Sequence, residues 1–173
     1  RFHHVLVDEY HSDWERTDKP YDTEWYGHDA GYNYACIYDY LTRYYDASRL
    51  NAPITDEVLR NCDVLVLKTP TKMYAPKEHP DELAIIRRFV ERGGGVLLIG
   101  EHTNVFGIGK SLNQIAEIFG FRYRYDCLFG IDTPFDQLFL RPMVPHPVVQ
   151  NVASMDFAVS CSIDPGTSNG RAV

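Results

Sequence analysis

An α/β domain built around a parallel sheet is the fold class this sequence predicts, and three observations predict it. Apolar runs with no polar alternation recur at Val5-Leu6-Val7, Val64-Leu65-Val66-Leu67 and Val96-Leu97-Leu98-Ile99, the signature of strands covered on both faces. Segments with helical periodicity lie between them. The links are short, which predicts right-handed crossovers between parallel strands. A chain of 173 residues fits one ordinary domain, taken as residues 1–173, and is long enough to close a core.

The first strand ends at Asp8-Glu9. Residues 10–30 are polar and aromatic, contain Pro20 and Gly27, and read as a long loop of the kind that is uncommon and often functional. A helix begins near Asn33: Tyr34, Ile37, Tyr38, Leu41, Tyr44 and Tyr45 share one face, while Asp39, Thr42, Arg43 and Asp46 take the other. A weaker strand is expected near Ala47–Leu50. Thr55, followed by Asp56 and Glu57, predicts a capped short helix. The strand at 64–67 stops at Lys68-Thr69-Pro70-Thr71.

Pro80 to Arg92 is the clearest helix. Proline and acids open it, arginines close it, Leu83, Ile86, Phe89 and Val90 make a face, and Gly93-Gly94-Gly95 ends it. The strand at 96–99 follows at once and leads into Gly100-Glu101-His102-Thr103-Asn104. Ser111 and Gln114 predict a capping box for a helix through Phe119, stopped by Gly120. Phe121, Tyr123 and Tyr125 alternate with arginines, as in a half-exposed strand. Beyond Asp126 prolines break the pattern, with one further strand expected within Met155–Ser162. The chain opens almost inside a strand and closes just past a turn, which predicts a piece of a longer protein.

Composition narrows the function. A formal net charge of -7 argues against nucleic acid as a partner, because phosphate binding needs a basic face. No apolar run is long enough for membrane insertion. Cys36, Cys62, Cys127 and Cys161 form no CxxC pair and read as four separate core thiols; a Cys127–Cys161 disulfide is the alternative in an oxidising compartment.

Ligands of open parallel sheets bind beyond the carboxyl ends of the strands. Three such ends carry chemistry: Asp8, Glu9 and His11 after the first, Thr69 after the third, and Glu101, His102 and Asn104 after the fourth. Tyr32 and Asn33, at the mouth of the following helix, complete the candidate ligand-binding set. Three readings stay open. The group is a divalent-metal site with Asp8, His11 and His102 as ligands, an acid–base site with Glu9, Glu101 or His102 in the catalytic role, or a set of caps and loop anchors. No other cofactor is expected. Glu101-His102 lacks a second histidine at metal spacing, Gly107-Ile108-Gly109-Lys110-Ser111 lacks the first glycine of a phosphate loop, and there is no GxSxG.

The order strand-Asp-Glu-x-His, helix, Cys-Asp-Val-Leu-Val-Leu, then Arg-Arg-Phe-Val-Glu-Arg-Gly-Gly-Gly-Val-Leu-Leu-Ile-Gly-Glu-His resembles the class I glutamine amidotransferase-like superfamily. Within it, the chain looks like the non-catalytic branches: DUF4350-type domains, the related domain of gliding-motility ABC-transporter auxiliary proteins, and the ThuA-like group. The resemblance covers about residues 3–125 and is most distinctive over Phe89–His102. It implies a flavodoxin-like three-layer sandwich with sheet order 2-1-3-4-5. It also implies a sharp turn after Ile99, where catalytic members carry a cysteine. Here that stretch is Gly100-Glu101-His102, so no thioester can form and glutamine hydrolysis is not expected.

Two functions follow as expectations. The first is a non-catalytic ligand-binding or interaction domain of a larger, membrane-linked or multidomain protein, extracytoplasmic in the membrane-linked case. Its partner would be a small molecule, a glycan or other domains of the parent. The alternative is a metal-assisted hydrolase acting on a polar substrate such as a sugar.

Overall fold

The computed structural model describes residues 3–27, 33–128, 138–142 and 144–170. The chain divides into two compact units, Arg1–Ile99 and Gly100–Val173.

The first unit is α/β, with a four-stranded sheet in the order β2-β1-β3-β4. Its strands are β1 (His4–Asp8), β2 (Asp46–Leu50), β3 (Val64–Lys68) and β4 (Gly95–Ile99), and every neighbouring pair is parallel. The three apolar runs are therefore strands, and the weak fourth expectation, near residue 47, is β2. Helix α1 (Thr23–Tyr26) lies inside the segment read as a loop. Helix α2 (Tyr34–Tyr44) follows Asn33, whose Oδ1 accepts from the Cys36 N–H. Helix α3 (Glu82–Glu91) precedes β4.

Alternation along each strand sorts the side chains between two faces. Val5, Val7 and Val66 share one face, where Tyr38, Leu41, Val64 and Ile99 pack on them. Leu6 pairs in register with Leu65 and points the other way. Leu6, Leu65 and Leu67 are buried there, as are Ile54, Leu59, Ile86 and Phe89. Gly94 is required at its position, because a Cβ would stand 2.4 Å from the Phe89 ring.

The short helix expected after Thr55 is a run of turns instead. Thr55 does act as a cap, its Oγ1 accepting from the Val58 N–H and its carbonyl from Leu59, but no periodic apolar face follows to extend the turn. Only Cys62 of the four thiols is buried; Cys36 is exposed, and Cys127 and Cys161 are half-buried and free. The expectation of four core cysteines is corrected to one.

In the second unit a 3-10 segment (His102–Gly107) leads into helix α4 (Ile108–Ala116) and a further 3-10 turn (Glu117–Phe119). The helix starts three residues before the expected capping box, and Ser111 is buried within it. Asn104 supplies the cap instead, its Oδ1 accepting from the Lys110 N–H at 2.7 Å. Gly120 ends the helical run in the left-handed region at φ 81°.

The strand expected at 121–125 is β5, only Arg122–Tyr123. It pairs antiparallel with β8 (Ile163–Asp164) rather than extending the parallel sheet, so the expected order 2-1-3-4-5 is met only in its first four places among the described residues. The reason is local. The Asn113 side chain accepts from the Tyr123 N–H at 2.7 Å and donates to its carbonyl at 3.0 Å, which occupies the edge of β5 that faces away from β8. β6 (Leu138–Pro142) and β7 (Ser154–Ala158) form a separate antiparallel pair; β7 is the strand expected within 155–162.

Candidate functional site

The strand order makes a crevice. The chain leaves β1 toward β2 on one side, then returns to place β3 on the other, so the loops after β1 and β3 diverge. Such a reversal is where open α/β sheets bind ligands. Asp8 ends β1 and Glu9 and His11 follow it, while Lys68 ends β3 and Thr69 follows it; all five are buried.

Two charged groups occupy the crevice. In the first, Asp8 Oδ1 accepts from the N–H groups of Tyr10 and His11, and Oδ2 bonds His11 Nδ1 at 2.8 Å and accepts from the Tyr74 hydroxyl at 3.2 Å. His11 Nε2 reaches Glu82 Oε2 at 3.2 Å. Burial alone would lower the His11 pKa, but the hydrogen bonds and charges of Asp8 and Glu82 outweigh it and raise it to about 9. The ring is therefore an imidazolium that donates through both nitrogens. Burial pushes the Glu82 carboxyl up, and its hydrogen bonds with His11 and the N–H groups of Ile54 and Ala75 pull it below the usual value. Burial and the nearby Asp8 charge raise the Tyr74 hydroxyl well above its ordinary range.

The second group is looser. Glu9 Oε1 accepts from the Thr17 N–H at 2.9 Å. Its Oε2 stands 3.6 Å from Lys68 Nζ and 4.0 Å from Arg16 Nη1, beyond hydrogen-bond range of both, and is buried without a hydrogen-bond partner. Lys68 Nζ donates to Ser12 Oγ at 3.3 Å and lies 5.2 Å from the centre of the Tyr34 ring. Burial lowers the Lys68 pKa, against the attraction of Glu9. Thr69 sits at φ 36°, a strained conformation for a β-branched residue, and its buried Oγ1 also lacks a partner.

A groove of about 480 Å³ opens beside this second group. Its walls are Val5, Val7, Tyr34, Tyr38, Val66 and Leu97, and Thr17 and Lys68 form its polar end. Arg49 stacks on Tyr38 at 3.8 Å and holds Thr17 through Oγ1 at 2.7 Å. An adjoining groove shares Tyr34 and Ile37 and adds Glu15 and Asn33.

Asp8, Glu9, His11 and Thr69 lie buried at the ends of the neighbouring strands β1 and β3, whereas the convergence expected was between the first and fourth strands. Asn33 is a buried helix cap that borders the second groove. Tyr32 lies outside the described residues. Glu101, His102 and Asn104 belong to the second unit, where they organise their own turn. Glu101 Oε1 accepts from the His102 N–H at 3.0 Å, and His102 Nδ1 bonds Thr103 Oγ1 at 2.7 Å. Thr103, Asn104 and Phe106 all have positive φ.

Sequence reasoning passed over Lys68, Tyr74 and Glu82. Glu82 was legible: it shares the spacing of Ile85, Ile86 and Phe89, all buried on α3, yet it reads first as an acid facing the helix dipole. Lys68 directly follows a buried apolar run, which should have drawn attention to it. Nothing in the local sequence marks Tyr74.

The chemistry of the two groups differs. A histidine that donates through both nitrogens offers no lone pair to a metal or to a substrate proton. Among the described residues no cluster of three or more His, Cys, Asp and Glu is arranged to hold a metal ion. Glu9 Oε2 and Thr69 Oγ1, by contrast, are buried without a hydrogen-bond partner, and Lys68 lines an open groove.

No protein-family model and no curated protein matches the chain. Among solved structures it is similar to one described as "mmIFT52 N-terminal domain", with a TM-score of 0.65 and 14% sequence identity over 93% of this chain and 68% of that one. At that identity the likeness concerns the fold alone.

Proposed function

We propose that the chain is a non-catalytic ligand-binding or interaction domain of a larger protein, carried on an amidotransferase-like, flavodoxin-type scaffold without amidotransferase chemistry. The observation that carries this reading is the engagement of the strand-end ionisable groups with one another. His11 is clamped between Asp8 and Glu82, and all three are buried. A general base or nucleophile must reach its substrate, and these groups are committed to holding three loops together. The groove beside Lys68 offers space and walls suited to binding.

The four-strand order β2-β1-β3-β4 is compatible with the flavodoxin-type order, and the resemblance over residues 3–125 supplies the family reading. The absence of cysteine from Gly100-Glu101-His102 supports the loss of glutaminase activity. Membrane linkage of the parent protein, with this domain outside the cytoplasm, belongs to the same proposal.

The test is a thermal-shift screen of small molecules on the protein, with parallel assays for glutamine and glycoside hydrolysis in Zn²⁺ and Mn²⁺. The expected result is stabilisation by a small molecule with no turnover. Stoichiometric metal that is lost in His102→Ala, together with hydrolysis, would overturn the proposal in favour of the metal-assisted hydrolase.

A further inference from the structure

Two of the four cysteines face each other across a ladder of the second unit. Leu128 and Ser160 form an antiparallel bridge, the Leu128 N–H donating to the Ser160 carbonyl at 2.7 Å. Asp126 and Ser162 hold the same two segments together on the other side of the cysteines. Asp126 Oδ1 accepts from the Ser162 N–H at 2.8 Å, and Oδ2 accepts from the Ser162 hydroxyl. The carboxylate stands in for the Asp126 carbonyl, which accepts from the Thr103 N–H. Both links keep one register, and that register sets Cys127 opposite Cys161.

Next to a hydrogen-bonded pair in an antiparallel ladder comes a non-hydrogen-bonded pair. Its Cα atoms stand about 4.5 Å apart, with both side chains on the same face. A disulfide spans Cα separations of about 4.4–6.8 Å, so this position can be bridged without moving either segment. Both thiols are free and half-buried, which leaves them partly open to a reagent.

We propose that Cys127 and Cys161 are a cross-strand disulfide site, closed by exchange with an external disulfide such as that of glutathione. The reaction does not depend on the binding reading above. Burial and the Asp126 charge raise the Cys161 thiol, which makes it the slower nucleophile. The Cys127 thiolate therefore attacks first, forming a mixed disulfide and releasing one external thiol. The Cys161 sulfur then attacks the Cys127 sulfur and releases the second. The pair is oxidised by two electrons, the external disulfide is reduced to two thiols, and those thiols carry away both protons. The bond closes residues 128–160 into a loop that contains the β6–β7 pair, and fixes both ends of that segment.

The experiment incubates the reduced, folded protein with glutathione disulfide, alkylates the remaining thiols in denaturant, and maps the peptides by mass spectrometry. The expected result is the loss of two thiols, with Cys127 and Cys161 joined in one peptide pair. The melting temperature of the oxidised form should exceed that of the reduced form by about 5 °C or more. Cys36→Ser leaves the link unchanged. Cys127→Ser and Cys161→Ser each abolish it, with folding checked by circular dichroism. Retention of all four thiols, glutathione adducts on Cys127 or Cys161 that never close, or a bond from either to Cys36, Cys62 or a second molecule would overturn the proposal. A melting temperature that falls on oxidation would also overturn it, because this register requires an unstrained bond.

Discussion

Glu82, the first residue of α3, reaches across 71 positions of sequence to place its Oε2 3.2 Å from the Nε2 of His11. The same carboxylate accepts from the backbone N–H groups of Ile54 and Ala75. One side chain therefore ties together the loop after β1, the turn before β3 and the loop after β3.

Removing that carboxylate leaves a buried imidazolium with one partner and two backbone donors with none. Glu82→Ala is expected to destabilise the first unit by about 3–5 kcal/mol, as for a broken buried ion pair. Glu82→Gln keeps an acceptor and costs less. Chemical denaturation of both variants measures the difference.

The raised His11 pKa makes stability depend on alkaline pH. The unfolded chain releases the proton near 6.5 and the folded chain near 9. The contribution is fully present below 6.5 and is lost as pH rises through about 9, an effect on the order of 3 kcal/mol from a single site. Glu82 acts at the other end: its lowered pKa stabilises the fold above its unfolded value and is lost as pH falls. Melting temperatures from pH 5 to 10 should decline on the alkaline side, and His11→Gln should flatten that decline.

Lys68 and Glu9 are coupled more than they are individually favourable. Lys68→Met leaves the Glu9 carboxylate buried beside Arg16 alone and is expected to cost about 3 kcal/mol or more. Adding Glu9→Gln should restore part of that loss. The double-mutant cycle reads the interaction directly, and an additive result would mean that the 3.6 Å approach carries no coupling.

Gly94→Ala tests the packing under β4. The added methyl would sit 2.4 Å from the Phe89 ring, forcing the ring from its place at a cost of about 1–3 kcal/mol. Phe89→Leu in the same background should relieve part of it.

How much of this was legible follows from the range of each signal. The apolar runs at β1, β3 and β4 are local patterns, and they located three of the four parallel strands with the crevice residues Asp8, Glu9, His11 and Thr69. Helix α4 was placed late because Ser111 and Gln114 imitate a cap, whereas the working cap, Asn104, lies six residues before the N–H it binds. The strand β5 exists, but its place in the parallel sheet was not legible for a similar reason. Alternation at 121–125 says that a strand exists, and it cannot say that Asn113 has taken one of its edges. Periodicity marks Glu82 as facing inward with Ile85, Ile86 and Phe89, but its partner His11, 71 residues away, and the partner of Lys68, Glu9, 59 residues away, are set by tertiary contacts that no local pattern records.

The Asn113 amide has one more consequence. A two-residue ladder such as β5 with β8 offers open backbone groups on its outer side, and such groups can template the stacking of foreign chains. By answering both the N–H and the carbonyl of Tyr123, Asn113 imitates the neighbour that another molecule would otherwise provide. The amide thus leaves Tyr123 with no open backbone group on that edge, and helix α4, which carries Asn113, stands where a further strand would pair.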